Sequence, residues 1–198
     1  MHPLPFSGGP LYAVTFWTAY ILWLAFETRG AIRHRTTDRA NARDRGSYAV
    51  IILFLWLALI SAFALSFLLP QANITWHRSA VFFNGIALMF LGIAFRSYAM
   101  TLLGKFFTYQ VAVQPGQTVV ETGPYRYIRH PSYTGALITL VGIGLALGNW
   151  ASLVILLTSM GAAYTYRISV EESALVAALG EPYKDYMRRT RRLVPFLF

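Results

Sequence analysis

Cysteine is absent from all 198 residues, which removes disulfides, thiol nucleophiles and thiolate metal sites from consideration. Charge is scarce as well: Asp, Glu, Lys and Arg make up 13% of the chain, against about 25% in an ordinary soluble domain. The four histidines, His2, His34, His77 and His130, stand at no ligand spacing, so no metal site is expected. No strand–helix alternation occurs, which excludes a soluble Rossmann-type fold. The opening "MHPLPFSGGP" has neither a basic n-region nor a cleavage site, so no removable signal peptide is expected.

What fills the chain instead is apolar. Hydrophobic residues make up 56%, gathered in five segments: Leu11 to Phe26, Tyr48 to Leu69, about Ser79 to Leu103, Ser132 to Leu147 and Trp150 to Tyr166. A bilayer core takes about 20 helical residues; the second and third segments reach that length, and the other three are short. The pattern predicts an all-α integral membrane protein of five transmembrane helices. It forms a single unit over 1–198, with three spans and a basic loop in 1–103 and a second, functional half in 104–198.

The net charge of +9 does not point to nucleic acid, because the basic residues sit in short blocks between apolar segments, as membrane topology demands. Six arginines lie in Thr28–Ser47, three Lys or Arg in Gly104–Pro131 and six from Arg167 onward, against Arg78 on the other side and Arg96 inside the third segment. The positive-inside rule then sets the N-terminus outside and the C-terminus in the cytoplasm. Arg96 lies about two turns from the cytoplasmic end of its segment, where a functional role and snorkelling to the surface are equally open.

Segments four and five are joined only by "GN", so they must form a tight antiparallel hairpin. That hairpin returns Arg167 to the membrane face that holds His130 and Pro131. In "YIRHPSY", proline suits the first helical position, which makes His130 the cap of segment four. In "RISVEE", Arg167 and Glu171 are four apart, hence on one helix face, where Glu171 can orient the arginine while Glu172 points elsewhere. "GIGLALG" imitates a dinucleotide loop, but inside a span it reads as small residues for close helix packing. Segment five should run on into the cytosol through "RISVEESALVAAL", with Gly180 supplying a stop and Pro182 a new start. The following "EPYKDYMRRTRRLVPF" puts Tyr183, Tyr186 and Met187 on one face opposite cations, the pattern of an interfacial helix on an anionic leaflet.

"VETGPYRYIRHPSYTG", an apolar hairpin and then "RISVEESALVAALGEPYKDYMRRTRRLVPF" together resemble the isoprenylcysteine carboxyl methyltransferase family and the related phospholipid methyltransferases. The resemblance runs from about Tyr109 to Phe196. It implies a membrane enzyme that uses S-adenosylmethionine without a Rossmann fold, the cofactor lying at the cytoplasmic end of the last two spans under the loop and C-terminal helix. By position it implies cofactor contacts at Gln110, at Gln117, Thr118, Val119 and Val120, and at Tyr125, His130, Pro131, Ser132 and Tyr133. It also implies an acceptor-carboxylate arginine at Arg167 and a cofactor-contacting glutamate at Glu171. Gln117 departs from the histidine usual in that family; it can still donate and accept hydrogen bonds but cannot titrate.

The expected reaction is O-methylation of a prenylcysteine-like carboxylate, with a lipophilic or lipidated acceptor and membrane lipids as partners and no nucleic acid. A phospholipid amine or small thiol as acceptor, an NADPH-dependent reductase like the C-terminal part of membrane sterol reductases, and a non-enzymatic lipid binder stay open as alternatives.

Overall fold

A computed structural model describes residues 8–34 and 44–194. Residues 1–7 with His2, the arginines at 35, 39 and 43 of the basic loop, and the end of the C-terminal motif at 195–196 lie outside the described residues. Six α-helices follow in order: α1 Pro10–Arg33, α2 Ser47–Leu68, α3 Arg78–Leu103, α4 Pro131–Leu147, α5 Trp150–Leu179 and α6 Glu181–Arg189. Isolated bridges pair Asn73 with Asn149 and Ile128 with Arg191. The expected all-helical architecture is what the chain adopts.

Among the described residues three helices, α2, α3 and α5, are long and apolar enough to cross a bilayer, while α4 with 17 residues is shorter. α1 runs past Phe26 to Arg33, because the polar end "ETRGAIR" continues the helix without continuing the apolar pattern. Large apolar side chains such as Ile21, Leu53, Ile60 and Leu91 face outward, an arrangement that a lipid surround satisfies.

The helices pair as α3 with α4 and α2 with α5. The first seam is built from glycines seven apart, Gly85 and Gly92 on α3 and Gly135 and Gly142 on α4. A Cβ on Gly142 would lie 2.5 Å from the Gly85 carbonyl oxygen and 2.6 Å from the Met89 nitrogen. Backbone packs directly on backbone there, so the small-residue reading of "GIGLALG" holds. A Cβ on Gly135 would lie 2.7 Å from the Arg96 nitrogen; the seam therefore carries Arg96 against the first turns of α4.

The α4–α5 hairpin closes as expected. Gly148 takes the left-handed conformation (φ 68°), and Asn149 caps α5 by accepting from the Ser152 N–H. The Asn149 amide also donates to the Leu69 carbonyl at 3.0 Å and to Asn73 Oδ1 at 2.8 Å, which fastens the turn to the end of α2. On the opposite side α5 continues unbroken to Leu179, and Gly180 (φ 65°) ends it before α6. Tyr183 and Tyr186 of α6 are buried against the protein, and the Tyr186 hydroxyl donates to the Tyr125 carbonyl at 2.7 Å. The amphipathic face of α6 is thus taken up inside the fold, which corrects the expectation of a helix laying that face on lipid.

Candidate active site

The polar knot and the hairpin mouth meet around one cavity of ≈ 390 Å³, within the usual size range of ligand sites. Its deep part is apolar, with Trp23 of α1, Leu55 and Leu59 of α2 and Ala136 and Leu140 of α4. Its outer part is formed by the loop after α3, by Tyr125 and by the two α6 tyrosines. Gln110, Gln117, Thr118, Val119, Val120, Tyr125, His130, Ser132, Tyr133, Arg167 and Glu171 all line this cavity. Pro131 does not; it is buried at the first position of α4 and sets the start of that helix.

Three polar nodes hold the walls. The first joins α4 and α5. Arg167 Nε donates to the Tyr133 hydroxyl at 3.1 Å, and that hydroxyl donates to Glu171 at 2.7 Å. The two α5 residues expected to pair directly are therefore linked through a tyrosine of α4. Arg167 also bonds Asp44, donates from Nη1 to Ser47 Oγ at 2.7 Å and from Nη2 to the Tyr109 carbonyl at 2.7 Å. Four of the five guanidinium donors are thus committed to the protein.

Asp44, just before α2, is the other half of that node. It accepts from the backbone N–H groups of Tyr48 and Val111, both at 3.0 Å, and from Ser47 Oγ at 3.1 Å. Burial works against its charge, but those N–H groups and the Arg167 guanidinium outweigh it and hold its pKa below the ordinary carboxylate value.

The second node centres on Glu172, buried behind the cavity wall. It accepts from Arg129 Nε at 2.7 Å and from Arg192 Nε at 3.2 Å, and His130 Nε2 lies 3.4 Å away. Arg129 further reaches the carbonyls of Met187 and Thr190. The segment after α6 thereby runs beside the knot, with the Arg129 N–H donating to the Arg191 carbonyl at 2.7 Å and the His130 N–H to the Arg192 carbonyl at 3.0 Å. His130 does occupy the cap position of α4, but its side chain makes no cap hydrogen bond. It turns toward Glu172 and toward Glu171, 3.8 Å from Nδ1. Its ring stacks on Tyr133, which stacks in turn on Tyr164.

The third node lies deeper and joins α1, α3 and α4. Arg96 Nη1 donates to the Ser132 carbonyl at 3.0 Å and to Ser132 Oγ at 3.2 Å, while Nη2 donates to Glu27 at 3.1 Å. The Tyr109 hydroxyl also donates to Glu27 at 3.1 Å. Arg96 is buried and ion-paired, which settles the choice left open by its sequence position: it does not snorkel. Burial raises the phenol pKa values of Tyr109, Tyr125, Tyr183 and Tyr186, so these cavity tyrosines stay protonated.

Glu27 and Asp44 are site residues that the sequence analysis does not single out. A signal for Glu27 existed: it is the one carboxylate in the first apolar segment's cytoplasmic end, and a buried Arg96 requires a counter-charge. Asp44 gave none, being one acid in a run of arginines.

The model of the isoprenylcysteine carboxyl methyltransferase family matches residues 85–177. Over those residues the chain is similar to that family. Among named relatives, protein-S-isoprenylcysteine O-methyltransferase of Schizosaccharomyces pombe is 31% identical over 130 residues, covering 65% of this chain and 55% of that protein. A probable protein-S-isoprenylcysteine O-methyltransferase of Oryza sativa subsp. indica is 27% identical over 180 residues, covering 90% of this chain and 88% of the rice protein. A solved eukaryotic intramembrane Ras methyltransferase, an isoprenylcysteine carboxyl methyltransferase, superposes with a TM-score of 0.54 at 24% identity, over 77% of this chain and 53% of that one. The chain thus spans little more than half of the yeast protein and of the solved one. The isoprenylcysteine carboxyl methyltransferase match covers α4 and nearly all of α5 with most of α3, and so takes in both the glycine seam and the hairpin that carries Arg167 and Glu171.

Proposed function

We propose that the chain is an S-adenosylmethionine-dependent methyltransferase that O-methylates the carboxylate of a lipophilic, prenylcysteine-like acceptor at the membrane. One observation carries this reading: a single cavity joins a polar, hydrogen-bonding mouth to an apolar floor. A charged methyl donor and a greasy acid need those two environments side by side. The names borne by the relatives favour the same reaction.

The residues present fit the donor. The stretch Thr118–Val120 lines the cavity in irregular backbone that makes no backbone hydrogen bond among the described residues, which leaves amide groups free to read an adenine edge. Glu171, with its side chain 28% exposed, offers a carboxylate to an ammonium group, and Gln110, His130 and Tyr133 supply further polar contacts. Gln117 accepts from the Gln114 N–H at 2.8 Å; in place of the family's histidine it shapes the "QPGQ" turn whose far side faces the cavity. When bound, S-adenosylmethionine supplies a sulfonium-activated methyl group, which a carboxylate oxygen takes up without any proton transfer.

No general base is then required, and the chain's residues act by placement. Holding two reactants in line is worth up to about 7–11 kcal/mol in favourable cases. Arg167 keeps the Tyr133–Glu171 pair and the loop before α2 in register and brings positive charge to the acceptor side. Trp23, Leu55, Leu59 and Leu140 accommodate the lipophilic tail.

Five spans, an outside N-terminus and an active site at the cytoplasmic face complete the proposal, supported by the one-sided distribution of Lys and Arg. Because the chain has no cysteine, single cysteines placed near Gln71 and Lys184 can be labelled from one side of sealed vesicles; labelling of both from the same side refutes the orientation. The function is tested by transfer of radiolabelled methyl from S-adenosylmethionine to N-acetyl-S-farnesylcysteine, with phosphatidylethanolamine and a small thiol as competing acceptors. Label in the amine or thiol but not in the acid overturns the carboxylate reading. Binding of NADPH in preference to S-adenosylmethionine overturns methyl transfer altogether.

A further inference from the structure

Arg167 is an awkward sole partner for an incoming carboxylate. It is 2% exposed, and Asp44 already holds it from a position fixed by three other donors. Displacing Asp44 would undo the attachment of the Tyr109–Val111 loop and the start of α2 together.

Arg96 stands differently. Its side chain is 8% exposed and lines the cavity. Nη1 is anchored on Ser132, which leaves the Nε–Nη2 edge pointing away from the anchor. That edge is one of the two a carboxylate can take side-on with both oxygens. Here Glu27 takes it, with Oε1 2.8 Å from Nε and Oε2 3.1 Å from Nη2. The fit is imperfect, since Nε is fully buried yet has no aligned hydrogen-bond acceptor. Glu27 also lacks the fixed support that Asp44 enjoys: its described partners are the Arg96 guanidinium and the Tyr109 hydroxyl, and its side chain is 21% exposed on the cavity wall.

The position suits an acceptor. Ser132 lies among the residues expected around the methyl donor, while Trp23 and Leu24, one helical turn before Glu27, belong to the apolar floor. The Arg96 edge thus sits where a donor-side mouth meets a tail-side chamber.

We infer that Arg96 and the Tyr109 hydroxyl form the seat for the acceptor carboxylate, and that Glu27 occupies this seat until the acceptor displaces it. The inference rests on the carboxyl methyltransferase reading. Exchanging one carboxylate for another keeps the buried guanidinium paired in both states, so binding never strands its charge. After transfer the product is a neutral ester, which cannot pair with Arg96, and Glu27 returns. The seat therefore binds acid and releases ester.

The test is calorimetric titration of the purified full chain, loaded with S-adenosylhomocysteine, by N-acetyl-S-farnesylcysteine and separately by its methyl ester. Glu27→Gln keeps the side chain's shape but removes the competing charge. It should tighten binding of the acid about tenfold, the scale of one charged hydrogen bond, and leave the ester unchanged. Arg96→Gln should weaken the acid by about tenfold or more on the same scale and again spare the ester. Either variant decides alone if the other does not fold. A change shared equally by acid and ester, or none in either, shows Glu27 and Arg96 to be a structural pair and overturns the seat while leaving methyl transfer intact. A wild-type protein that binds neither ligand removes the acceptor class, and the seat with it.

Discussion

Glu172 faces away from the cavity, yet its loss should open the site. Glu172→Gln preserves volume and removes one charge from a cluster in which the glutamate is 4% exposed, Arg129 7% and Arg192 36%. Breaking a buried ion pair costs about 3–5 kcal/mol. The low end applies here, because Arg192 is partly solvated, where ion pairs are worth about 0–1 kcal/mol, and Arg129 keeps the Met187 and Thr190 carbonyls. A loss of about 3 kcal/mol raises the population of any state with the segment after α6 detached by roughly 100-fold. That segment carries Arg191 and Arg192, and the last turn of α6 before it carries Arg188 and Arg189, so limited trypsin digestion of the folded protein reports the detachment. When reclosing outpaces cleavage, the rate should rise in proportion to the open population. Since Tyr183 and Tyr186 line the cavity from α6, donor affinity should fall in parallel. A Glu172→Gln protein cleaved at the wild-type rate would refute the strut.

Two further predictions concern the scaffold. Gly142→Ala should lower thermal stability, because its Cβ would meet backbone across the seam and overpacking costs about 1–3 kcal/mol; Gly161→Ala, with nothing within 4 Å, should be neutral or stabilising, and equal unfolding temperatures would dismiss the seam. For Asp44, whose folded pKa is lowered, the stabilisation is complete above the unfolded value of about 3.9 and is lost as pH falls through the lower folded value. Between about pH 5 and pH 2 the wild type should therefore lose more stability than Asp44→Asn; parallel unfolding curves across that window would contradict the node.

Much of the fold could be read from residue order because it is local. The apolar segments, the "GN" turn, the stop at Gly180 and the convergence of Arg167 on His130 follow from periodicity and loop length. The polar nodes could not be read the same way. Arg96 finds Glu27 across 69 positions and Arg167 finds Asp44 across 123, and no spacing rule reaches that far. Glu172 points away from the Arg167 face, as its spacing predicts, but no spacing shows that it ties Arg129 to Arg192. The α6 tyrosines show a different limit: an amphipathic pattern records that a face will be covered, and here the cover is the protein itself instead of lipid. Nor could spacing show that Tyr133 stands between Arg167 and Glu171.

That tyrosine imposes a constraint on every measurement at the site. Its single hydroxyl proton is spent on Glu171 and its lone pair on Arg167, so the polarity of the chain runs one way, from cation to anion. Substituting either end changes what the hydroxyl offers the other. The effects of Arg167 and Glu171 variants will therefore not add, and Tyr133→Phe will cut both links in one step. The energetic unit at this mouth is the three-residue relay, and neither the arginine nor the glutamate has a separable worth within it.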